Sequence, residues 1–148
     1  MNGLIKIDFP KDKVLRRNTN GSEEVFDAIR KTWVVLTPEE WVRQHFIQFL
    51  FTRSYPASLI AVEKQITLAE LTKRFDIVAY SRDMKPFMII ECKRMDVALS
   101  ERVLAQALRY HASLECPYLI ITNGVYTIGY HKKNDRFEPV NSFPKYPD

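Results

Sequence analysis

A chain of 148 residues, 46% hydrophobic and 27% charged, is long enough to close one apolar core, since a domain of this size buries roughly 68–70% of the surface its unfolded chain exposes. A net charge of +4 tolerates a polyanionic partner without requiring one, and two cysteines, Cys92 and Cys116, exclude a disulfide-built scaffold and suit a reducing compartment. No apolar run reaches the ~18 residues of a membrane span and MNGLIKIDFPKDK lacks the apolar centre of a secretory signal, so the expectation is a cytoplasmic protein with no membrane partner.

Leu4 to Phe9 alternates as a short strand and stops at Pro10. Val14-Leu15 and Val25-Phe26 flank the turn-rich Arg17-Asn18-Thr19-Asn20-Gly21-Ser22, which predicts an N-terminal β-hairpin. Trp33 to Leu36 is another β-prone piece. Thr37-Pro38-Glu39-Glu40 then starts a helix three ways: an N-cap threonine, proline at the first helical position, and a glutamate that completes a capping box. Val42, Phe46, Phe49 and Leu50 give that helix its apolar stripe to about Thr52, and Tyr55-Pro56 ends it. Leu59 to Leu68 reads as a strand. Two further runs follow, one at Phe75-Asp76-Ile77-Val78 and one at Phe87 to Ile90, joined by a turn at Ser81 to Pro86. A second helix spans Leu99 to Leu114, capped at Ser100, with Val103, Leu104, Ala107 and Leu108 at helical spacing. Tyr118 to Thr122 and Val125 to Tyr130 form a hairpin through Asn123-Gly124. The tail from 136 to 148 holds three of the eight prolines and is expected to be loosely attached. The order predicts one mixed α/β domain over 1–148, with a core over about 37–131 and a β extension over 1–36.

The hairpin at Asp76 carries the chemistry. Centred between Asp83 and Met84, it sets Asp76 opposite Glu91 and Tyr80 opposite Phe87. Opposed residues have Cβ atoms about 4.5–5.5 Å apart, and like charges placed there destabilise the pair. Glu91 and Lys93 share a strand face while Cys92 points to the other. Two carboxylates and an ammonium on one patch make physical sense if a divalent cation sits between the acids.

Thr37-Pro38-Glu39-Glu40-Trp41-Val42-Arg43-Gln44-His45-Phe46, Arg74-Phe75-Asp76, Glu91-Cys92-Lys93 and Gln106-Ala107-Leu108-Arg109-Tyr110 occur in the order of a known superfamily. The chain resembles the PD-(D/E)XK, restriction-endonuclease-like nucleases, and in particular the N-terminal nuclease domain of type I restriction enzyme R subunits. The likeness runs from about Thr37 to Gly129. It implies a restriction-endonuclease-like mixed β-sheet flanked by helices, a magnesium-dependent nuclease activity (Mn²⁺ substituting), and a nucleic-acid partner, DNA. It also implies metal ligation by Asp76, Glu91 and the Cys92 backbone carbonyl. Glu40 is the candidate helical outer acid, with Glu39 the alternative because periodicity sets it nearer the apolar face. Gln106 and Tyr110 are implied to position Lys93, water or the scissile strand. Phe75 stands where the family's motif has proline, and no G-x-x-x-x-G-K-[ST] motor motif occurs. The expectation is therefore a stand-alone relative or one part of a split system, with restriction-system subunits or a second copy as partners.

Magnesium lowers the pKa of bound water and polarises a phosphoryl oxygen. It prefers oxygen ligands and keeps several waters, so one or two protein carboxylates suffice. Lys93 beside the same cavity supplies a point charge for phosphate. Each residue also has a plainer reading. An E-x-K on a strand is commonly a solvated pair worth about 0–1 kcal/mol, Glu39 and Glu40 complement a helix dipole, and Gln106 and Tyr110 share a helix face. His45, His111 and His131 show no metal spacing and read as helix-surface or loop residues. Trp33 and Trp41 read as core or rim packing. Arg43, Arg53, Lys64, Lys73, Arg74, Arg94, Arg102 and Arg109 are candidates for a phosphate-facing surface. The competing function is a catalytically silent nucleic-acid-binding or assembly module on the same fold.

Overall fold

A computed structural model describes residues 3–68 and 70–148, Leu68 by its backbone alone. In chain order the elements are β1 (Leu4–Ile5), β2 (Arg16–Thr19), β3 (Ser22–Asp27), β4 (Thr32–Val35), α1 (Pro38–Thr52), β5 (Ile60–Leu68), β6 (Leu71–Tyr80), β7 (Pro86–Cys92), α2 (Glu101–His111), β8 (Tyr118–Thr122), β9 (Thr127–Lys133) and β10 (Arg136–Val140). The main sheet runs β1-β9-β8-β7-β6-β5, with β10 also on β9, and β2-β3-β4 form a separate antiparallel sheet. Within the main sheet β7 and β8 pair in parallel and the other pairs are antiparallel. Parallel neighbours need a crossover, and α2 supplies it. This is the mixed sheet flanked by helices that the sequence implied.

The central strands alternate between two cores. Ile77, Ala79, Met88, Ile90, Cys92 and Ile120 pack with Val42, Phe46 and Leu50 of α1. Val78, Ile89, Leu119 and Ile121 pack with Leu104 of α2 and with Leu99 and Leu114 beside it. Because both faces are covered, these strands read as continuous apolar runs instead of alternating ones. Thr37 caps α1 through its hydroxyl, which accepts from the Glu40 N–H at 3.0 Å. The reciprocal half of the capping box is absent, since Glu40 turns inward to Gln44 at 2.9 Å. Ser100 caps α2 in the same way, accepting from Val103 N–H at 3.3 Å.

Several boundaries differ from the sequence reading. The first strand is only Leu4–Ile5. The N-terminal hairpin is tighter than the polar cluster suggested, turning on Asn20 (φ +52) and Gly21 (φ +82) alone, so Arg17 to Thr19 join a strand, and β4 extends the hairpin to three strands. These two left-handed residues form the kind of two-residue turn that matches strand twist. In the β6–β7 hairpin, Ile77 pairs with Ile90, Val78 with Ile89 and Ala79 with Met88, as the centre between Asp83 and Met84 requires. Tyr80 pairs with Pro86 instead of Phe87, because a bulge follows Ala79 and the turn closes through Ser81 N–H to Lys85 O at 2.9 Å. The Asn123-Gly124 turn takes in Val125 and Tyr126 as well: the Asn123 side-chain oxygen accepts from both of their N–H groups, at 2.9 and 2.7 Å. The tail after Arg136 is not loose. It begins as β10, buries Phe143 at 5% exposure, and docks through Tyr146, whose hydroxyl donates to Tyr80 O at 2.7 Å.

Candidate functional site

The site forms where the β6–β7 ladder ends. Pairing runs out at Ile77 and Ile90, leaving the Cys92 N–H without a strand partner on that side. The Asp76 carboxylate takes its place, accepting from Cys92 N–H at 2.7 Å. Asp76 can reach there because strict alternation breaks around it. Phe75 and Val78 both pack on the α2 side of the sheet, although they are three residues apart. The distortion has a partner across the sheet: Glu63 adopts φ +49, and the β5–β6 register resumes on either side of it, at Val62–Ile77 and Lys64–Phe75.

Glu91 follows Ile89 on the α2 face and is half-buried. Burial pushes its carboxyl up to about 8, and the nearby Asp76 charge pushes the same way, with Lys93 acting against both. Its Oε1 is buried and has no hydrogen-bond partner among the described residues. Lys93 lies just past the strand, its backbone N–H donating to Thr122 O at 2.8 Å. Glu91 and Lys93 line one cleft of about 460 Å³ with Arg74, Gln106, Tyr110 and His111. Tyr110 is anchored on β6 by its hydroxyl, which accepts from Arg74 N–H at 3.3 Å, and the Lys73 ammonium sits 4.7 Å from its ring centre. Gln106 is exposed on the same helix face. Glu91, Lys93, Gln106 and Tyr110 thus line one cleft, and Asp76 lies beside it, held on the Cys92 N–H.

Glu40 does not line this cleft. It is 6% exposed on the α1 side, 3.4 Å from the Arg43 guanidinium and 3.7 Å from Arg30. Arg43 also reaches Glu63 at 3.3 Å, so it is a buried partner of carboxylates and not part of a phosphate-facing surface. Glu39, the alternative acid, is exposed. Cys92 points into this side, and burial, with Asp76 next, holds its thiol well above its ordinary pKa.

His111, like Arg43, lies elsewhere than the sequence reading placed it. It is 3% exposed instead of lying on the helix surface, with Nε2 at 3.9 Å from Glu91 Oε1. Burial lowers its pKa to about 3, and the Lys73 and Lys93 charges act in the same direction. The available signal was its place at i+7 from Leu104, which continues the buried stripe of α2. A larger cavity of 580 Å³ lies beyond Val97, lined by Leu4, Val125 and Tyr126 among others; it is largely apolar and holds none of the paired acids.

Among the described residues, no group of three or more histidine, cysteine, aspartate or glutamate side chains is arranged to hold a metal ion. No helix of the described residues is long and apolar enough to cross a membrane. The sequence matches the family described as type I restriction enzyme R protein N terminus (HSDR_N) over residues 38–144. The chain belongs to this family. The matched span of this HSDR_N domain begins with α1, takes in both acids, Lys93 and the α2 face, and runs through β10 to the docked tail. A search of curated proteins finds no match.

Proposed function

We propose that this HSDR_N domain hydrolyses DNA phosphodiester bonds with the help of Mg²⁺, Mn²⁺ being able to substitute. One observation carries the reading: Glu91, half-buried beside Asp76, keeps a carboxylate oxygen without a partner among the described residues, in a cleft that also holds Lys93. Like charges forced together are tolerable when a cation neutralises them. The donors fit such an ion, since hard divalent cations select oxygen and magnesium needs only one or two protein carboxylates. Asp76, Glu91 and the Cys92 carbonyl would hold it; when bound, it supplies charge against the phosphate and lowers the pKa of water. Lys93 offers a mobile ammonium toward a phosphate oxygen. The Gln106 amide gives the opposite wall a hydrogen-bond donor, the Tyr110 hydroxyl is engaged with the Arg74 backbone, and Arg74 adds a cation at the edge. Glu40 enters as support, holding Arg43 and through it Glu63, which lies across from Asp76.

A second reading is a catalytically silent nucleic-acid-binding or assembly module that works with other restriction-system subunits. The absence of a three-side-chain metal cluster among the described residues favours it, and family membership by itself reaches no further than this. Calorimetry with Mn²⁺ and plasmid nicking separate the two. The hydrolase reading expects Mn²⁺ binding that Asp76→Ala abolishes, and nicking that needs both the ion and Lys93. DNA binding without nicking in any divalent ion establishes the silent module.

A further inference from the structure

His111 ends α2 with 3% exposure, yet neither of its ring nitrogens has a hydrogen-bond partner among the described residues. Its ring packs against Phe75, centroids 5.0 Å apart, and against Tyr110 at 5.4 Å. Packing accounts for an aromatic ring here but not for an imidazole, because a phenyl would fill the space without leaving two buried polar atoms unmatched. The polar atom that faces it is Glu91 Oε1, 3.9 Å from Nε2 and likewise buried and unmatched. A neutral imidazole has one N–H to give, and a carboxylate can only accept.

We propose that His111 is a positioning residue that donates its Nε2–H to Glu91 Oε1 and fixes that carboxylate beside Asp76 before a divalent cation arrives. The inference rests on the metal-site reading above. The present separation exceeds a hydrogen bond, and a small side-chain rotation closes it; such contacts are commonly long in unliganded sites and tighten on loading. Groups that orient a metal-binding carboxylate typically alter metal affinity about 10–100-fold when removed.

Two measurements decide it. In ¹⁵N-labelled, chelator-treated wild type at about pH 9, where Glu91 is ionised and can only accept, NMR of the His111 ring should show the Nε2–H tautomer, with a slowly exchanging ring proton that Glu91→Ala exposes. The Nδ1–H tautomer overturns the inference whatever the metal does. In Mn²⁺ calorimetry, His111→Phe, which keeps the stacking on Phe75, should weaken binding on the order of tenfold, and His111→Gln, which restores an N–H, should recover most of it. Wild-type affinity in a folded His111→Phe overturns the inference alone. Absence of Mn²⁺ binding in the wild type overturns the metal-site reading, and the positioning role falls with it. Should His111→Phe not fold, the tautomer and the Gln variant still decide.

Discussion

Replacing Glu91 with glutamine separates the strain of the acid pair from its use. The Glu91 side chain is 16% exposed, and burial, then Asp76, raise its pKa from an ordinary 4.5 to about 8. Below about pH 4.5 the carboxyl is protonated in folded and unfolded chains alike and contributes nothing. Between about 4.5 and 8 the unfolded chain releases a proton that the folded one keeps, so in chelator the folded state loses stability as pH rises. Above about 8 both forms are ionised and the loss stops growing. At about pH 7 the linkage amounts to at most ~3 kcal/mol, and water entering the cleft reduces it to about 1–2 kcal/mol. Glutamine keeps the shape and cannot ionise. Thermal melts in EDTA at about pH 7 should therefore place Glu91→Gln roughly 3–6 °C above wild type, the gap closing near pH 4.5. Added Mn²⁺ should raise the wild-type midpoint and leave the variant unmoved. A variant that melts with or below wild type at neutral pH, in chelator, refutes the crowded-acid argument. So does a gap that persists unchanged at about pH 4.5.

Arg43→Met removes the guanidinium that Glu40 and Glu63 share. Breaking a buried pair costs about 3–5 kcal/mol, but Glu40 retains Gln44 and Arg30, so the urea midpoint should register about 2–3 kcal/mol, and adding Glu40→Gln should recover part of it. Phe143→Ala opens space against Phe46, Phe49 and Tyr55; chemical denaturation should show a loss of about 3–4 kcal/mol, where a loosely attached tail would give none. Burial raises Cys116 to about 12 and Cys92 well above its ordinary value. At about pH 8 only on the order of one Cys116 in ten thousand is thiolate, so a colorimetric thiol reagent should react with the native protein only as fast as it unfolds, and at once in denaturant.

What could be read from the sequence was local. Thr37-Pro38 fixes the start of α1 because capping involves neighbours along the chain, and the hairpin centre at Asp83–Met84 fixes which residues of β6 and β7 meet. The helix start appears as expected, and the register holds from Ile77–Ile90 to Ala79–Met88 before a bulge shifts it at Tyr80. The misplacements involve partners far along the chain. Proline content made the tail look detached, yet Phe143 is buried by aromatic residues of α1 and Tyr146 reaches back to Tyr80. Arg43 looked like one basic residue among many because its partner Glu63 lies on a different element. His111 lacked metal spacing, and nothing nearby in sequence announces that Glu91 waits beneath it.

The location of the cleft follows from topology more than from any motif. In open sheets with parallel strands, ligands gather beyond the carboxyl ends of those strands, and β7 and β8 are the parallel pair here. β7 ends at Cys92, and Lys93 is the first residue past it. The chain must then rise through the Arg94 to Ser100 loop into α2, the helix that returns it to β8 and lays Gln106, Tyr110 and His111 across the strand end. On the other side, β6 runs antiparallel, and its corresponding position, just before its pairing with β7 begins at Ile77, is where the Glu63 distortion frees Asp76 from the ladder to accept the Cys92 N–H. A regular β5 would keep Asp76 in alternation and commit the neighbouring backbone to pairing. The left-handed Glu63 opposite Asp76, which interrupts β5 without adding a residue, is therefore what lets one strand end hold two acids, and straightening it, for example with a β-branched residue at Glu63, should disturb the site while leaving both cores packed.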